Sequence, residues 1–218
     1  MPHNSKIIQE IIVTGQRLRA GGLVCAASGN ISCRIDGDSL LITASGVDKG
    51  NLTQADILFL DFQGRIVTCS PPAQIKNKHS LKTHNSKLKT GLRSRPPAPS
   101  SETPLHVALY QACPRIQAII HAHPPYATAL ATAARELDWQ MLEEARLFLG
   151  PVPLLPPLPA GSVELANAAA RAAAGANALL LAGHGAVSWG ETLDQAMFRM
   201  EILEHTARVM LYVKGIRG

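Results

Sequence analysis

His121-Ala122-His123 closes an apolar run, Ile116 to Ile120, and His184 closes a second, Ala178 to Ala182. In an extended strand, residues i and i+2 project to the same side, so His121 and His123 can present two imidazoles to one point. A neighbouring strand ending at His184 would supply a third. Three neutral imidazoles suit Zn²⁺ and leave one coordination position open to water or substrate, the mark of a catalytic rather than a structural site. An HxH pair alone recurs by chance, and a strand-end histidine can serve only to hydrogen-bond a carbonyl. His184, however, lies between Gly183 and Gly185, where missing Cβ atoms let the backbone turn sharply or approach another group closely. That is odd packing for an ordinary core histidine, and a metal-dependent enzyme is the first hypothesis.

Three segments upstream suit an anion. Ser28-Gly29-Asn30, Ser45-Gly46 and Ser100-Ser101 combine small residues, hydroxyls and accessible backbone N–H groups. The last pair precedes Glu102 and apolar residues at helical spacing, Leu105, Leu109 and Tyr110, so Ser100 or Ser101 is expected as the N-cap. Any one of these segments could equally fill an ordinary turn.

The elements that must position these residues alternate between types. Ile7, Ile8, Ile11, Ile12 and Leu18 predict an amphipathic helix that ends at Gly21-Gly22. Ile31 to Ile35 and Leu40 to Thr43 flank Asp36-Gly37-Asp38, a hairpin signal. Ile57 to Asp61 and Arg65 to Thr68 predict a second hairpin, so the sheet should be at least partly antiparallel. Strands Ile116 to Ile120 and Ala178 to Ala182 are separated by helices at about 126–134 and 163–174, and a last helix follows at about 192–212. Interleaved strands and helices indicate a layered α/β domain.

At 218 residues the chain can form one sizeable core, and one domain over residues 1–218 is expected. No run reaches the roughly 18 to 20 apolar residues that span a bilayer, and Met1 to Lys6 lacks a signal-peptide layout. A soluble, cytoplasmic protein without a membrane partner is expected. Cys25, Cys33, Cys69 and Cys113 show no CxxC spacing and are expected to be reduced and buried. The formal charge of +5 is local: residues 70–98 hold seven Lys and Arg with no acid, leaving 14 basic against 16 acidic residues elsewhere. Rich in Lys, Ser, Asn and Pro, this stretch reads as a mobile insertion. Without an aromatic residue to stack on a base, it argues against specific nucleic-acid binding.

The order SGN, LITASG, PSSE, HAH, GHG resembles the class II aldolase and adducin-head family, typified by zinc-dependent fuculose-1-phosphate aldolase. The resemblance implies a three-layer α/β/α sandwich with a largely antiparallel central sheet, commonly a homotetramer with sites between subunits. It implies one zinc ion per chain on His121, His123 and His184, with Glu102 as catalytic acid/base. It also places Gly29, Asn30, Ser45, Gly46, Ser100 and Ser101 at the substrate phosphate. The implied reaction is reversible cleavage of a phosphorylated ketose to dihydroxyacetone phosphate and an aldehyde. The same triad also serves family epimerases and dehydratases of the ribulose-5-phosphate and methylthioribulose-1-phosphate types, and an adducin-like interaction module is a third alternative.

Two departures stand out. In the sugar-phosphate aldolases a tyrosine from the segment after the HxH helix assists at the aldehyde. Here that stretch reads Met141-Leu-Glu-Glu-Ala-Arg146, and Glu143 and Glu144 are its candidates, although a solvated helix face explains both. The insertion at 70–98 is the other departure, since relatives make this connection with a short turn. His106 falls one turn after Glu102; its simplest reading is a structural histidine. Trp139 and Trp189 read as packing anchors.

Overall fold

The computed structural model describes residues 2–67 and 97–217. The expected mobile insertion, apart from residues 97 and 98, lies outside the described residues. Seven strands form one sheet: β1 (Asn30–Arg34), β2 (Ser39–Thr43), β3 (Ile57–Asp61), β4 (Ala118–Ala122), β5 (Leu154–Leu155), β6 (Ala178–Leu181) and β7 (Gly185–Gly190). Their order is β3-β2-β1-β4-β7-β6-β5, and every pairing but β5 with β6 is antiparallel. Six α-helices accompany them among the described residues: α1 (Pro2–Ala20), α2 (Thr103–Ala112), α3 (Pro125–Thr132), α4 (Glu143–Phe148), α5 (Val163–Ala172) and α6 (Leu193–Arg217). The expected α/β fold with a mostly antiparallel sheet is borne out.

Strand alternation sorts side chains between two helical layers. Asn30 and Ser32 of β1 project to the face where α2 supplies His106 and Tyr110, and α5 packs on α2. Ser188 of β7 projects to the other face, where its hydroxyl donates to Ala196 O of α6 at 2.8 Å. In the ladders Asn30 stands opposite His121, and His121 opposite Val187, so β1, β4 and β7 carry the centre of the site on the α2 face. The core runs through these strands: Ile31, Ile119, Ile120 and Val187 are fully buried.

Several boundaries differ from the sequence expectation. Strand β4 starts at Ala118 because Cys113 to Ile116 form a turn, closed by Ile116 N donating to Cys113 O. The second hairpin is reduced to one bridge, Leu60 with Ile66, and Thr68 lies outside the described residues. Strand β5, unanticipated in the Pro-rich connection, is an edge strand, where flanking prolines remove no ladder bond. The N-cap of α2 is Glu102 rather than Ser100 or Ser101, and its side chain makes no capping bond. Cys25 is exposed rather than buried. Trp189 is buried, and Trp139 packs against the core.

Candidate active site

His121 ends inside β4, and His123 follows the strand, its N–H donating to Leu23 O at 3.1 Å. Helix α3 begins two residues later. Its first N–H groups, on Tyr126 and Ala127, are accepted by the Glu204 carboxylate of α6 at 2.9 to 3.1 Å, which anchors the chain on the far side of His123. His184 sits in the turn from β6 to β7. The flanking glycines act as expected: Gly183 turns with φ +68°, and a Cβ on Gly185 would lie 2.5 Å from Ala122 O and 2.8 Å from His123 Cδ2. Only glycine lets the start of β7 press this closely on the HxH segment.

The three rings surround a common point, with centroids 4.7 to 4.9 Å apart and planes 63° to 73° to one another. Their ligand nitrogens all lie within 4.8 Å of each other, and His121 Nε2 and His123 Nε2 are 3.0 Å apart. Metal–nitrogen bonds of about 2.1 Å in a tetrahedron require nitrogens roughly 3.4 Å apart, so the donor set fits a divalent cation. His121 Nδ1 lies 3.0 Å from Ala186 O, a carbonyl acceptor that fixes Nδ1 as the protonated nitrogen and orients the ring. Burial, reinforced by the neighbouring imidazoles, lowers the pKa of His123 to about 4, and burial likewise lowers that of His184. Both are therefore in the neutral, ligating form at pH 7.

Glu102 is 6% exposed and faces this cluster. Its Oε2 lies 3.1 Å from His121 Nε2 and accepts from Asn30 Nδ2 at 2.8 Å; its Oε1 lies 3.4 Å from His184 Nε2 and has no hydrogen-bond partner. Burial alone would raise the carboxyl pKa, but the neighbouring His121 and His184 imidazoles and the Asn30 amide outweigh it and bring it down to about 2. The resting group at neutral pH is a carboxylate, the form that accepts a proton.

The expected phosphate positions gather at the same end. Ala44 bridges Pro99, and Ser45 N donates to Ala98 O at 2.9 Å, which seats Ser45-Gly46 beside the segment leading to Ser100. Ser45, Gly46 and Ser101 are exposed, as a ligand requires. A Cβ on Gly29 would lie 2.6 Å from His121 O, so Gly29 holds its loop directly on β4. Asn30, expected at the phosphate, spends its side chain elsewhere: Nδ2 donates to Glu102 and, at 3.1 Å, to Ser100 Oγ, while Oδ1 faces His106.

One residue, Lys49, went unread in the sequence, and His106 was read first as structural. Lys49, an ordinary loop lysine by sequence, is 1% exposed, and its ammonium donates to Val47 O at 2.7 Å and Ala27 O at 3.2 Å. It ties the loop before Ser28 to the loop after Gly46, and burial pulls its pKa down to about 8. His106 is fully buried and bonded at both ring nitrogens. Glu143 and Glu144, by contrast, begin α4, where Glu144 approaches His205 of α6 at 3.9 Å. No described helix is long and apolar enough to cross a membrane.

Known proteins resemble this chain in sequence and fold. Residues 9–211 match the family described as Class II Aldolase and Adducin N-terminal domain. The chain is 31% identical over 206 residues to methylthioribulose-1-phosphate dehydratase of Acidiphilium cryptum, covering 90% of this chain and 85% of that protein. It is 27% identical to L-fuculose phosphate aldolase of Methanococcus maripaludis, covering 89% and 90%. In structure it superposes on l-fuculose-1-phosphate aldolase from Thermus thermophilus with a TM-score of 0.77 and 29% identity, over 98% of this chain and 97% of that one.

Proposed function

The chain belongs to the class II aldolase and adducin N-terminal domain family, and from that premise we propose that it is a zinc-dependent lyase acting on a phosphorylated ketose. The observation that carries the reading is Glu102 Oε1, buried and without a hydrogen-bond partner beside three converging imidazoles. His121, His123 and His184 would hold one divalent ion, which when bound would supply positive charge to offset the charge that develops beside the ketone. Glu102 moves the proton at the neighbouring carbon. Gly29, Ser45, Gly46, Ser100 and Ser101 hold the phosphate, and Asn30 at their edge orients the carboxylate. The protein works as a cytoplasmic homotetramer with sites between subunits.

Two fates share this chemistry. In aldol cleavage the hydroxyl on the aldehyde-forming carbon gives up its proton to a base as the carbon–carbon bond breaks, the bond's electrons stay on the ketose-derived half, and one proton returns to that carbon through Glu102, giving dihydroxyacetone phosphate and an aldehyde. In dehydration Glu102 removes the carbon-bound proton, the hydroxyl of the adjacent carbon departs, and the proton returned by Glu102, directly or through solvent, completes the water. The 31% identity to a dehydratase favours the second fate, as does the lack of any tyrosine between Tyr126 and Tyr212 to match the residue of the sugar-phosphate aldolases.

Metal analysis combined with product identification on fuculose-1-phosphate and methylthioribulose-1-phosphate tests the reading. About one zinc per chain and chelator-sensitive release of dihydroxyacetone phosphate identify the aldolase. Loss of water with the carbon skeleton intact identifies the dehydratase, and an isomer of unchanged formula an epimerase. A protein that binds no divalent metal is not a lyase of this kind and joins the adducin-like interaction modules.

A further inference from the structure

Behind Glu102, on the side away from the triad, runs a file of buried polar groups. Tyr110 OH lies 2.7 Å from Ser32 Oγ, Ser32 Oγ 2.6 Å from His106 Nδ1, and His106 Nε2 2.5 Å from Asn30 Oδ1, while Asn30 Nδ2 reaches Glu102 Oε2 at 2.8 Å. Ser32, His106 and Tyr110 are 0 to 1% exposed, so each group must find its partner inside the protein.

The contacts of Asn30 set the direction of every bond in the file. Its Nδ2 faces both Glu102 Oε2 and, at 3.1 Å, Ser100 Oγ, so Oδ1 is the end turned to His106. His106 Nε2 must then carry the ring proton. Burial lowers the His106 pKa to about 3, so the ring is neutral, Nδ1 is bare, and Ser32 O–H donates to it. Ser32 Oγ in turn accepts from Tyr110 O–H. An asparagine amide has two ends of nearly the same shape. Without a donor at His106, nothing on that side opposes a flip that would set Asn30 Oδ1 against the carboxylate, two acceptors face to face.

We propose that His106 is a positioning residue: its Nε2–H locks the Asn30 amide, which pins Glu102 Oε2 and leaves Oε1 as the oxygen that moves the substrate proton. The inference rests on the proton-transfer role proposed for Glu102. The two ring nitrogens of His106 face Ser32 and Asn30, and it reaches Glu102 by hydrogen bonding through Asn30.

Two independent measurements test it on the full-length, zinc-loaded protein. The first needs no substrate: nitrogen NMR of the ¹⁵N-histidine-labelled protein should show His106 as the Nε2–H tautomer, and an Nδ1–H tautomer overturns the proposal. The second uses whichever phosphorylated ketose is turned over. His106→Asn places its amide near Nδ1 and cannot reach Asn30, whereas His106→Gln extends a donor to the Nε2 position. His106→Asn should lower kcat about 10- to 100-fold with zinc content retained and KM changed less than about threefold, while His106→Gln restores kcat to within about threefold. In an Asn30→Ala background the His106→Asn change should cost less than about twofold more, the non-additivity of residues that act through one another. Equal losses in the Gln and Asn variants, or full additivity with Asn30→Ala, overturn the proposal. If no ketose is turned over, the lyase reading fails, while the tautomer measurement still decides whether the amide is locked.

Discussion

The metal side and the carboxylate side of the site are built differently. His121 and His123 are held by one strand and the turn that follows it, and His184 by the tight return into the neighbouring strand, so their convergence is a property of the sheet. Glu102 has no such frame. It stands at the first turn of α2 and is held by Asn30, by its neighbour Ser100 and, through Asn30, by His106. In the proposed function, a ladder fixes the ligands that must meet at one point, and hydrogen bonds suffice for the group proposed to exchange a proton.

This contrast can be broken from either side. The largest effect is expected from His123→Ala. Removing a mere outer-shell partner costs about 10- to 100-fold in metal affinity or activity, and removing a ligand should cost more, with zinc lost. Full zinc occupancy in that variant, read by elemental analysis, would take His123 out of the ligand set. Glu102→Gln strikes the other side: turnover should fall about 10²- to 10⁴-fold with zinc retained. Normal exchange of the substrate proton with deuterated solvent would assign the proton to another group.

Gly185→Ala sharpens the metal side alone. The added Cβ must displace Ala122 O or the His123 ring, an overpacking of about 1–3 kcal/mol that should appear as a lowered denaturation midpoint together with weaker zinc binding. An unchanged midpoint would mean that the close approach of β7 is relaxed without cost. The smallest effect is expected from replacing Pro72 to Pro97 with a short Gly/Ser turn. Loop closure changes by only about 0.6 kcal/mol per doubling of length, so unfolding should stay cooperative and zinc content constant. Loss of the cooperative transition in a denaturant titration would show that those residues belong to the core.

The same contrast explains what the sequence disclosed. His121 and His123 were legible because strand periodicity is local, and His184 because it ends an apolar run between glycines. The strand and helix order was legible for the same reason, whereas β5 was hidden among prolines. His106 was read as structural because its partners Ser32 and Asn30 lie 74 and 76 residues away, a proximity that no spacing rule reports. Lys49 went unread because only the folded chain shows the carbonyls of Ala27 and Val47 converging on its ammonium. Asn30 was assigned from its motif, and the motif does not say how an amide divides its two ends.

The pairing of Asn30 with His121 also bears on when the site comes into being. Asn30 and Glu102 are 72 residues apart in the chain, and they meet only after the central strands have found their register. Contacts of such long range form late, because closure entropy is spent before they stabilise anything. A nascent or partly folded chain can offer two neighbouring imidazoles to a passing cation, but not the third with the carboxylate behind it. On the proposed zinc site, tight retention of metal would serve as a clock, marking the moment the last ladder has closed.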